Sequence, residues 1–257
     1  MSELDGLLLD IDGVLVVSWE PIEGAAGTLA ELRRRDVPIR FVTNTTSASR
    51  REVAARLDRV GMPVASEEIL SAPSATAAWI KRERPGASCY LINSGDLGDD
   101  LADLDLAPVG GAADLVVLGG AGPEFSYEQM NHALGLLLDG AELVGMHRNR
   151  YWKTRDGYSL DTGAYLTALE QASGVSALVM GKPSPDFFLT GLAELGLPAR
   201  RVAMVGDDIE NDVLAAQDVG VTGILVRTGK YRPSEVNAQP GDPDHVIESF
   251  TDLAALL

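Results

Sequence analysis

Short apolar runs alternate with segments of helical periodicity along the whole chain. Within each run the apolar positions are nearly continuous, which is typical of strands in a parallel sheet that is covered on both faces. Seven runs predict buried strands: Leu7–Leu9, Ile39–Val42, Tyr90–Ile92, Leu115–Leu118, Leu178–Met180, Val202–Val205 and Gly223–Val226. Because the intervening segments have helical periodicity, the pattern predicts an α/β fold.

The ends of several helices are also visible in the pattern. Ser49–Glu52 and Ser126–Gln129 have the spacing of a capping box, in which a serine and a later acid or amide close the first helical turn. Glycines at positions 140, 174, 196 and 220 each follow an apolar helical run, where a left-handed residue commonly ends a helix.

Two proline-containing segments suggest how the chain divides into domains. Ser71–Pro73 and Gly181–Pro185 each carry proline at the edge of a structured run, although proline there can equally be the start of a helix. If both segments are hinges, residues 74–180 form an inserted α/β cap domain with its own sheet. Residues 1–73 and 181–257 would then fold together as a Rossmann-like parallel-sheet core.

Composition excludes several classes of protein. The 257 residues are 46% hydrophobic and 23% charged, as in ordinary globular proteins. A single cysteine, Cys89, excludes an internal disulfide and a cysteine-rich zinc site. The three histidines are not at the spacing of a metal motif, which argues against a histidine-based metal centre.

Charge narrows the range of partners. The chain has 38 acidic and 21 basic side chains, for a net charge of −17. A field of this sign repels nucleic acid and anionic lipid. No apolar stretch approaches the roughly 20 residues that span a bilayer. We therefore expect no nucleic-acid partner, no membrane association and a cytoplasmic location.

The first candidate chemistry follows the first predicted strand. Asp10 and Asp12 flank a single residue and precede Gly13, where the chain can turn sharply. In an extended chain residues two apart point the same way, so the two carboxylates share one side of the strand tip. The carboxyl ends of parallel strands are where α/β proteins bind their ligands. Helix-capping aspartates in a turn would produce the same short pattern.

Three later features strengthen the ligand-binding interpretation. Thr43 and Asn44 end another predicted strand ahead of a helix, where free backbone N–H groups bind phosphate. Lys182 stands immediately before Pro183 and a helix. Finally, an acidic cluster closes the strand 202–205. Its members are Asp207, Asp208 and Asp212.

Carboxylates this close together are costly unless a cation neutralises them. If a helix begins after the strand 202–205, Asp208 and Asp212 are four residues apart and lie on one face. A hard divalent ion with oxygen ligands, Mg²⁺ above all, is the natural candidate.

The order of these motifs resembles the haloacid dehalogenase superfamily of phosphohydrolases. D-x-D-G-V, T-N, G-K-P and G-D-x-x-x-x-D occur in the superfamily's order and cover essentially the whole chain. Residues 45–180 separate the second and third motifs, where the large-capped subfamily IIA carries its α/β cap. The segments 150–153 and 229–231 also resemble that subfamily.

The resemblance implies roles for the acidic residues. Asp10 corresponds to the nucleophile that forms an aspartyl-phosphate, and Asp12 to the general acid/base. Mg²⁺ would be bound by the Asp10 carboxylate, the Asp12 backbone carbonyl and Asp207. Asp208 and Asp212 would lie behind these ligands and hold waters or Lys182.

The resemblance also implies how phosphate is held and what the substrate is. Thr43, Asn44 and Lys182 would bind the phosphoryl oxygens. The expected activity is a Mg²⁺-dependent phosphatase acting on a small phosphorylated metabolite through an aspartyl-phosphate. Two alternatives stay open: an inorganic pyrophosphatase or phosphoamidase within the same enzyme class, and a regulatory module that binds a phosphorylated ligand without hydrolysing it.

The predicted cap contains one segment of unusual composition. Residues 147–165 are rich in cationic and aromatic side chains: Arg148, Arg150, Tyr151, Trp152, Lys153, Arg155 and Tyr158. Arg150 and Tyr151 are candidates for contact with an anionic or planar substrate. The same residue types are enriched at interfaces, so a hairpin at a homodimer contact is the alternative. By analogy with large-capped proteins, we expect a homodimer.

Overall fold

The computed structural model describes residues 4–154 and 157–256, with the side chains of residues 152–154 left out of the description. Its strands are β1 (Gly6–Asp10), β2 (Val16–Val17), β3 (Glu20–Pro21), β4 (Ile39–Thr43), β5 (Ile69–Ser71), β6 (Ser88–Ile92), β7 (Asp105–Leu106), β8 (Leu115–Leu118), β9 (Glu142–Gly145), β10 (Tyr151–Thr154), β11 (Gly157–Leu160), β12 (Leu178–Val179), β13 (Val202–Gly206), β14 (Thr222–Val226) and β15 (His245–Ile247).

Helices separate most of these strands. They are α1 (Ala25–Arg34), α2 (Arg50–Arg59), α3 (Ala72–Glu83), α4 (Gly98–Leu101), α5 (Tyr127–Leu138), α6 (Thr162–Ser173), α7 (Pro185–Leu195), α8 (Ala215–Gln217) and α9 (Pro233–Val236). Short 3₁₀ segments cover Ser66–Glu68, Ala199–Arg201 and Phe250–Ala255, and a π-helical turn covers Ile209–Leu214.

The first sheet is built from both ends of the chain. In the described residues it has six strands in the order β15-β14-β13-β1-β4-β5, and neighbours from β15 to β4 run parallel. The central strands β1 and β13 are buried at every position, as their continuous apolar runs predict. This is the Rossmann-like core that the sequence predicts.

The second sheet lies wholly within the middle of the chain. Its described strands run parallel in the order β12-β9-β8-β6-β7. One face packs on α3 through Trp79 and Ile80, and the other packs on α5 and α6 through Leu137 and Leu166. The α/β fold with an inserted α/β cap is thus confirmed.

All seven predicted strands are present, and the predicted helix ends agree with the structure where it describes them. The Ser126 hydroxyl accepts a hydrogen bond from the Gln129 N–H at 3.2 Å, and the glycines at 140, 174, 196 and 220 have positive φ. The seven predicted runs do not include β9, β10 and β11, nor the short strands β2, β3, β5, β7 and β15. A strand of two or three residues is stabilised by its partner rather than by its own periodicity, so its sequence carries little signal.

The chain folds into two compact units, each assembled from separate stretches of sequence. One comprises residues 1–43, 50–70 and 182–257, and the other comprises residues 44–49 and 71–181. Residues 44–49, which the predicted boundaries place in the core, group with the second unit, where Ala48 pairs with Asp96 in an isolated bridge. The predicted domain boundaries at 73/74 and 180/181 stay a prediction.

Among the residues that the structure describes, no helix is long and apolar enough to cross a bilayer.

Candidate active site

The candidate site lies at the carboxyl ends of the central strands of the first sheet. β1 ends at Asp10, and its neighbour β13 ends at Gly206, so that Asp207 follows directly. Leu9 lies opposite Val205 in the parallel register, and Asp10 lies opposite Val42 on the other side. The register therefore brings Asp10, Thr43 and Asp207 to the same edge.

Lys182 joins two of the predicted acids. Its Nζ lies 2.8 Å from Asp10 Oδ1 and 2.6 Å from Asp212 Oδ1, and all three side chains are less than a tenth exposed. Burial by itself lowers the pKa of Lys182, but Asp10 and Asp212 together raise it above its ordinary value. Lys182 is therefore a permanent positive charge in the site.

Asp207 is held from one side only. Its Oδ2 accepts the Lys230 backbone N–H at 2.6 Å, whereas its Oδ1 is a buried side-chain oxygen without a hydrogen-bond partner within the described ranges. Burial raises the pKa of Asp207, and the nearby Asp10 and Asp212 raise it further. A buried carboxylate oxygen without a donor is costly, which indicates that a cation belongs beside it.

Two glycines allow the backbone to approach Asp207. Gly13 has φ +91°, and a Cβ built on it would lie 1.9 Å from Asp207 Oδ2. Gly229 has φ +60°, and its Cβ would lie 2.1 Å from the same oxygen. Both positions need glycine for its conformation and for its lack of a side chain.

Three carboxylates form a group that could hold a metal ion. Asp10, Asp207 and Asp212 each offer an oxygen, and these oxygens all lie within 4.8 Å of one another. Hard oxygen donors and the unpartnered Asp207 Oδ1 fit Mg²⁺. Two of these residues, Asp10 and Asp207, belong to the predicted metal set, and Asp212 was predicted to lie behind the ligands.

Asp12 differs from Asp10 in its surroundings. Asp10 is buried and its Oδ1 accepts the Ile11 N–H at 2.9 Å, whereas the Asp12 side chain is exposed and its Oδ1 accepts the Ser18 N–H at 3.2 Å. The two carboxylates therefore suit different tasks. The predicted metal contact through the Asp12 backbone carbonyl stays a prediction.

Asp208 and Asp212 also have different roles. Asp208 caps the π-helical turn, since its Oδ1 accepts the N–H groups of Glu210 and Asn211 at 3.1 and 2.9 Å. Asp212 Oδ2 accepts the Asp208 N–H at 3.2 Å, so one oxygen of Asp212 fixes the turn while the other contacts Lys182. Asp208 thus holds the loop in shape, and Asp212 links the loop to the buried lysine.

The remaining predicted residues lie in different places. Thr43 is buried at the end of β4, and Asn44 begins the segment 44–49 of the second unit. Arg150 is exposed, and Tyr151 is 59% exposed on the β10–β11 hairpin, where its ring meets Tyr158 edge-on at 5.4 Å. Arg155 lies outside the described residues, as do the side chains of Trp152 and Lys153.

The sequence assigned no role to two residues that form hydrogen bonds with the site. The Lys230 backbone N–H donates to the Asp207 side chain, and the Thr228 hydroxyl donates to the Gly13 carbonyl oxygen. Both interactions brace the loop 228–230 against the turn after β1. The segment 229–231 stands out in the sequence only for its resemblance to the subfamily, because nothing local shows that it meets Asp207.

Comparisons with known proteins identify the family that this chain matches. Residues 7–107 match the haloacid dehalogenase-like hydrolase family, and residues 179–253 match a HAD-hydrolase-like family. The chain is 38% identical over 248 residues to human haloacid dehalogenase-like hydrolase domain-containing protein 2, covering 96% of this chain and 93% of that one.

Two further relatives have phosphatase names. Phospholysine phosphohistidine inorganic pyrophosphate phosphatase from Rattus norvegicus is 36% identical over 263 residues, covering 100% of this chain and 95% of that one. The solved structure of p-nitrophenyl phosphatase from Archaeoglobus fulgidus superposes with a TM-score of 0.93 at 32% identity, covering 99% and 100% of the two chains.

Proposed function

We propose that this chain, which belongs to the haloacid dehalogenase-like hydrolase family and is one of its phosphatases, hydrolyses small phosphorylated metabolites. The proposed reaction depends on Mg²⁺ and passes through an aspartyl-phosphate on Asp10. The observation that carries the proposal is the buried carboxylate group. Asp10, Asp207 and Asp212 converge within 4.8 Å at the strand ends, with Lys182 bridging Asp10 and Asp212.

Asp10 is the proposed nucleophile. Its Oδ1 accepts hydrogen bonds from Lys182 and the Ile11 N–H, which fixes the plane of the carboxylate and leaves Oδ2 to attack phosphorus. The new bond joins Oδ2 to phosphorus, and the bond between phosphorus and the leaving oxygen breaks. Because Lys182 stays protonated, it reduces the repulsion between this anion and the anionic phosphoryl group.

Asp12 is suited to move protons because its carboxylate is exposed rather than tied into the buried cluster. It gives a proton to the leaving oxygen in the first step. In the second step it accepts a proton from the water that attacks the aspartyl-phosphate, which releases inorganic phosphate and restores Asp10.

Asp10 and Asp207 would hold Mg²⁺, together with the predicted carbonyl of Asp12. When bound, the ion neutralises charge on the phosphoryl group and on the carboxylates around it. Thr43 and Asn44 complete the proposed set that binds the phosphoryl oxygens.

A second candidate activity is the hydrolysis of phosphorus–nitrogen bonds and of pyrophosphate. The rat relative at 36% identity carries phospholysine, phosphohistidine and pyrophosphate in its name. A panel of alkyl phosphates, aryl phosphates, phosphoramidates and pyrophosphate at fixed Mg²⁺ separates the two candidates. A cytoplasmic location, a homodimer and substrate contacts from Arg150 and Tyr151 stay predictions.

The metal proposal predicts the behaviour of Asp207→Asn. We expect activity to disappear in excess chelator, and the Mg²⁺ concentration for half-maximal activity to rise at least about tenfold in the variant, because one anionic ligand is lost. Asp58→Asn removes an exposed carboxylate from α2 of the same unit and should leave the Mg²⁺ requirement unchanged. Full activity in chelator, or an unchanged requirement in Asp207→Asn, would contradict the proposal.

The raised pKa of Asp207 predicts how Mg²⁺ stabilises the fold. Burial and the neighbouring carboxylates raise this pKa to about 8, so without metal the folded protein holds a proton on Asp207 that the unfolded chain has already lost, and stability falls as pH rises from about 4 towards about 8. Mg²⁺ binds the deprotonated carboxylates, so its stabilisation grows over the same range. We expect the increase in Tm on adding Mg²⁺ to be several degrees larger near pH 8 than near pH 6.

Thermal unfolding with Mg²⁺ and with chelator, at both pH values, measures this effect. Asp207→Asn should show a smaller Mg²⁺-dependent increase in Tm at the higher pH. An increase of equal size at every pH would show that the carboxylates do not compete with protons for the ion.

A further inference from the structure

The hairpin that follows Gly13 contains an unusual turn. Val17 pairs with Glu20, so that β2 and β3 are joined by two residues, Ser18 and Trp19. These residues have φ of 51° and 68°, the left-handed values that the common two-residue hairpin turn requires at both positions. Asparagine, aspartate and glycine normally occupy them, and a bulky aromatic residue there is disfavoured by its own backbone.

The turn directs one backbone N–H to Asp12, the proposed acid/base. The Ser18 N–H donates to Asp12 Oδ1 at 3.2 Å. The base of the hairpin is fixed by hydrogen bonds from the Val16 N–H to the Ile11 carbonyl oxygen and from the Gly13 N–H to the Val16 carbonyl oxygen. The left-handed turn therefore brings the chain back over the exposed carboxylate of Asp12.

A side-chain contact holds this disfavoured turn against the rest of the same unit. The Arg56 guanidinium lies over the half-buried Trp19 ring, 4.8 Å from its centroid, which is within the range of a cation–π interaction. Arg56 is itself held by Glu52, with Nε 2.8 Å from Oε1 on the same helix. The contact thus ties the tip of the hairpin to α2.

We propose that Trp19 and Arg56 are positioning residues for proton transfer by Asp12, acting through the Ser18 N–H. The proposal rests on the acid/base function of Asp12 proposed above. An exposed carboxylate rotates freely unless a donor fixes it. With Oδ1 bound to Ser18, Oδ2 is presented in one orientation for the proton that the leaving oxygen needs. The left-handed backbone conformation of the turn costs free energy, and the Trp19–Arg56 contact offsets that cost.

Trp19→Ala tests this by removing the ring while keeping a side chain at the left-handed position. We expect the rate of the first turnover, in which phosphate is transferred to Asp10, to fall at least about tenfold for an alkyl phosphate and less than about threefold for p-nitrophenyl phosphate, because only the poor leaving group needs a well-placed acid in that step. The ester concentration that gives half of the maximal first-turnover rate should change little for either ester. Trp19→Phe keeps a ring for Arg56 and should restore most of the alkyl phosphate activity.

Arg56→Gln tests the same contact from the other side and leaves the turn's sequence intact. It should reproduce the selective loss on alkyl phosphate, and the double variant Trp19→Ala/Arg56→Gln should be no worse than either single variant. Arg59→Gln is the matched control. It removes an arginine of the same helix that also contacts Glu52, at 3.1 Å, and it should leave the ratio of the two activities unchanged.

The outcomes distinguish this inference from the proposed function. If Asp12→Asn selectively loses the first turnover of alkyl phosphate but Trp19→Ala and Arg56→Gln lose the first turnover of both esters equally or not at all, the positioning role is wrong and the function of Asp12 stands. If the first-turnover rate of Asp12→Asn itself shows no dependence on the leaving group, the acid/base function is wrong. A Trp19→Phe variant as impaired as Trp19→Ala would also overturn the positioning role.

Discussion

Replacing Asp10 by asparagine is expected to abolish turnover, with a loss of at least about 10⁴-fold, because the amide is not a nucleophile towards phosphorus. Asparagine keeps the shape of the side chain, and Lys182 keeps its contact with Asp212 at 2.6 Å. The fold should therefore persist. Rapid quenching with a radiolabelled phosphate ester should trap an acid-stable, hydroxylamine-labile phosphate on the parent protein and none on the variant.

Two measurements make this result decisive. Asp186→Asn, which removes an exposed carboxylate from the first turn of α7, should keep both the phosphoenzyme and the turnover of the parent. Circular dichroism and Tm should show that Asp10→Asn is folded. A labelled phosphoenzyme or substantial turnover in folded Asp10→Asn would rule out Asp10 as the nucleophile.

Asp12→Ala is expected to separate the two half-reactions. A nitrophenolate leaves without a proton, so the variant should still transfer phosphate from an aryl ester to Asp10. It should then stall, because no base activates the water for the second step. The expected signature is a burst of phenol about equal to the enzyme present, followed by slow turnover, with the phosphate trapped on the protein.

Alkyl phosphates should behave differently with the same variant. Their leaving alkoxide needs the proton, so we expect neither burst nor turnover and a loss of about 10²–10⁴-fold. The substitution leaves the backbone carbonyl in place, so the Mg²⁺ requirement of the burst should match that of the parent. Equal losses on aryl and alkyl esters, with no trapped phosphoenzyme, would show that Asp12 does not carry the proton.

Much of the fold was predictable because the chain's longer strands are buried on both faces. A strand such as β1 or β13 must be apolar at every position to lie between two helical layers, and that requirement is visible in the sequence without knowledge of its neighbours. The short strands were not predictable for the opposite reason. β5 and β15 are edge strands of three residues each, whose existence depends on the strand beside them.

The candidate site was predictable as a set of residue types at strand ends, but not as a set of contacts. Asp10 and Asp207 could be placed at one edge because parallel strands end at the same side of a sheet. The π-helical turn shows why Asp212 could not be placed in this way. The four-residue spacing suggested that Asp208 and Asp212 share a face, whereas the turn directs Asp208 to its own backbone and Asp212 to Lys182.

The sequence by itself determined the α/β class, the order of the motifs and the carboxylates at the strand ends. Each of these follows from local periodicity or from one residue's place at the end of a run. The resemblance also offered Lys182 as a partner of Asp212. Only the tertiary structure decided that Lys182 contacts Asp10 as well, that the Lys230 N–H binds Asp207, and that Arg56 covers Trp19. These contacts depend on which strands and loops become neighbours, and strand order is determined by packing across the sheet rather than by any periodicity along the chain.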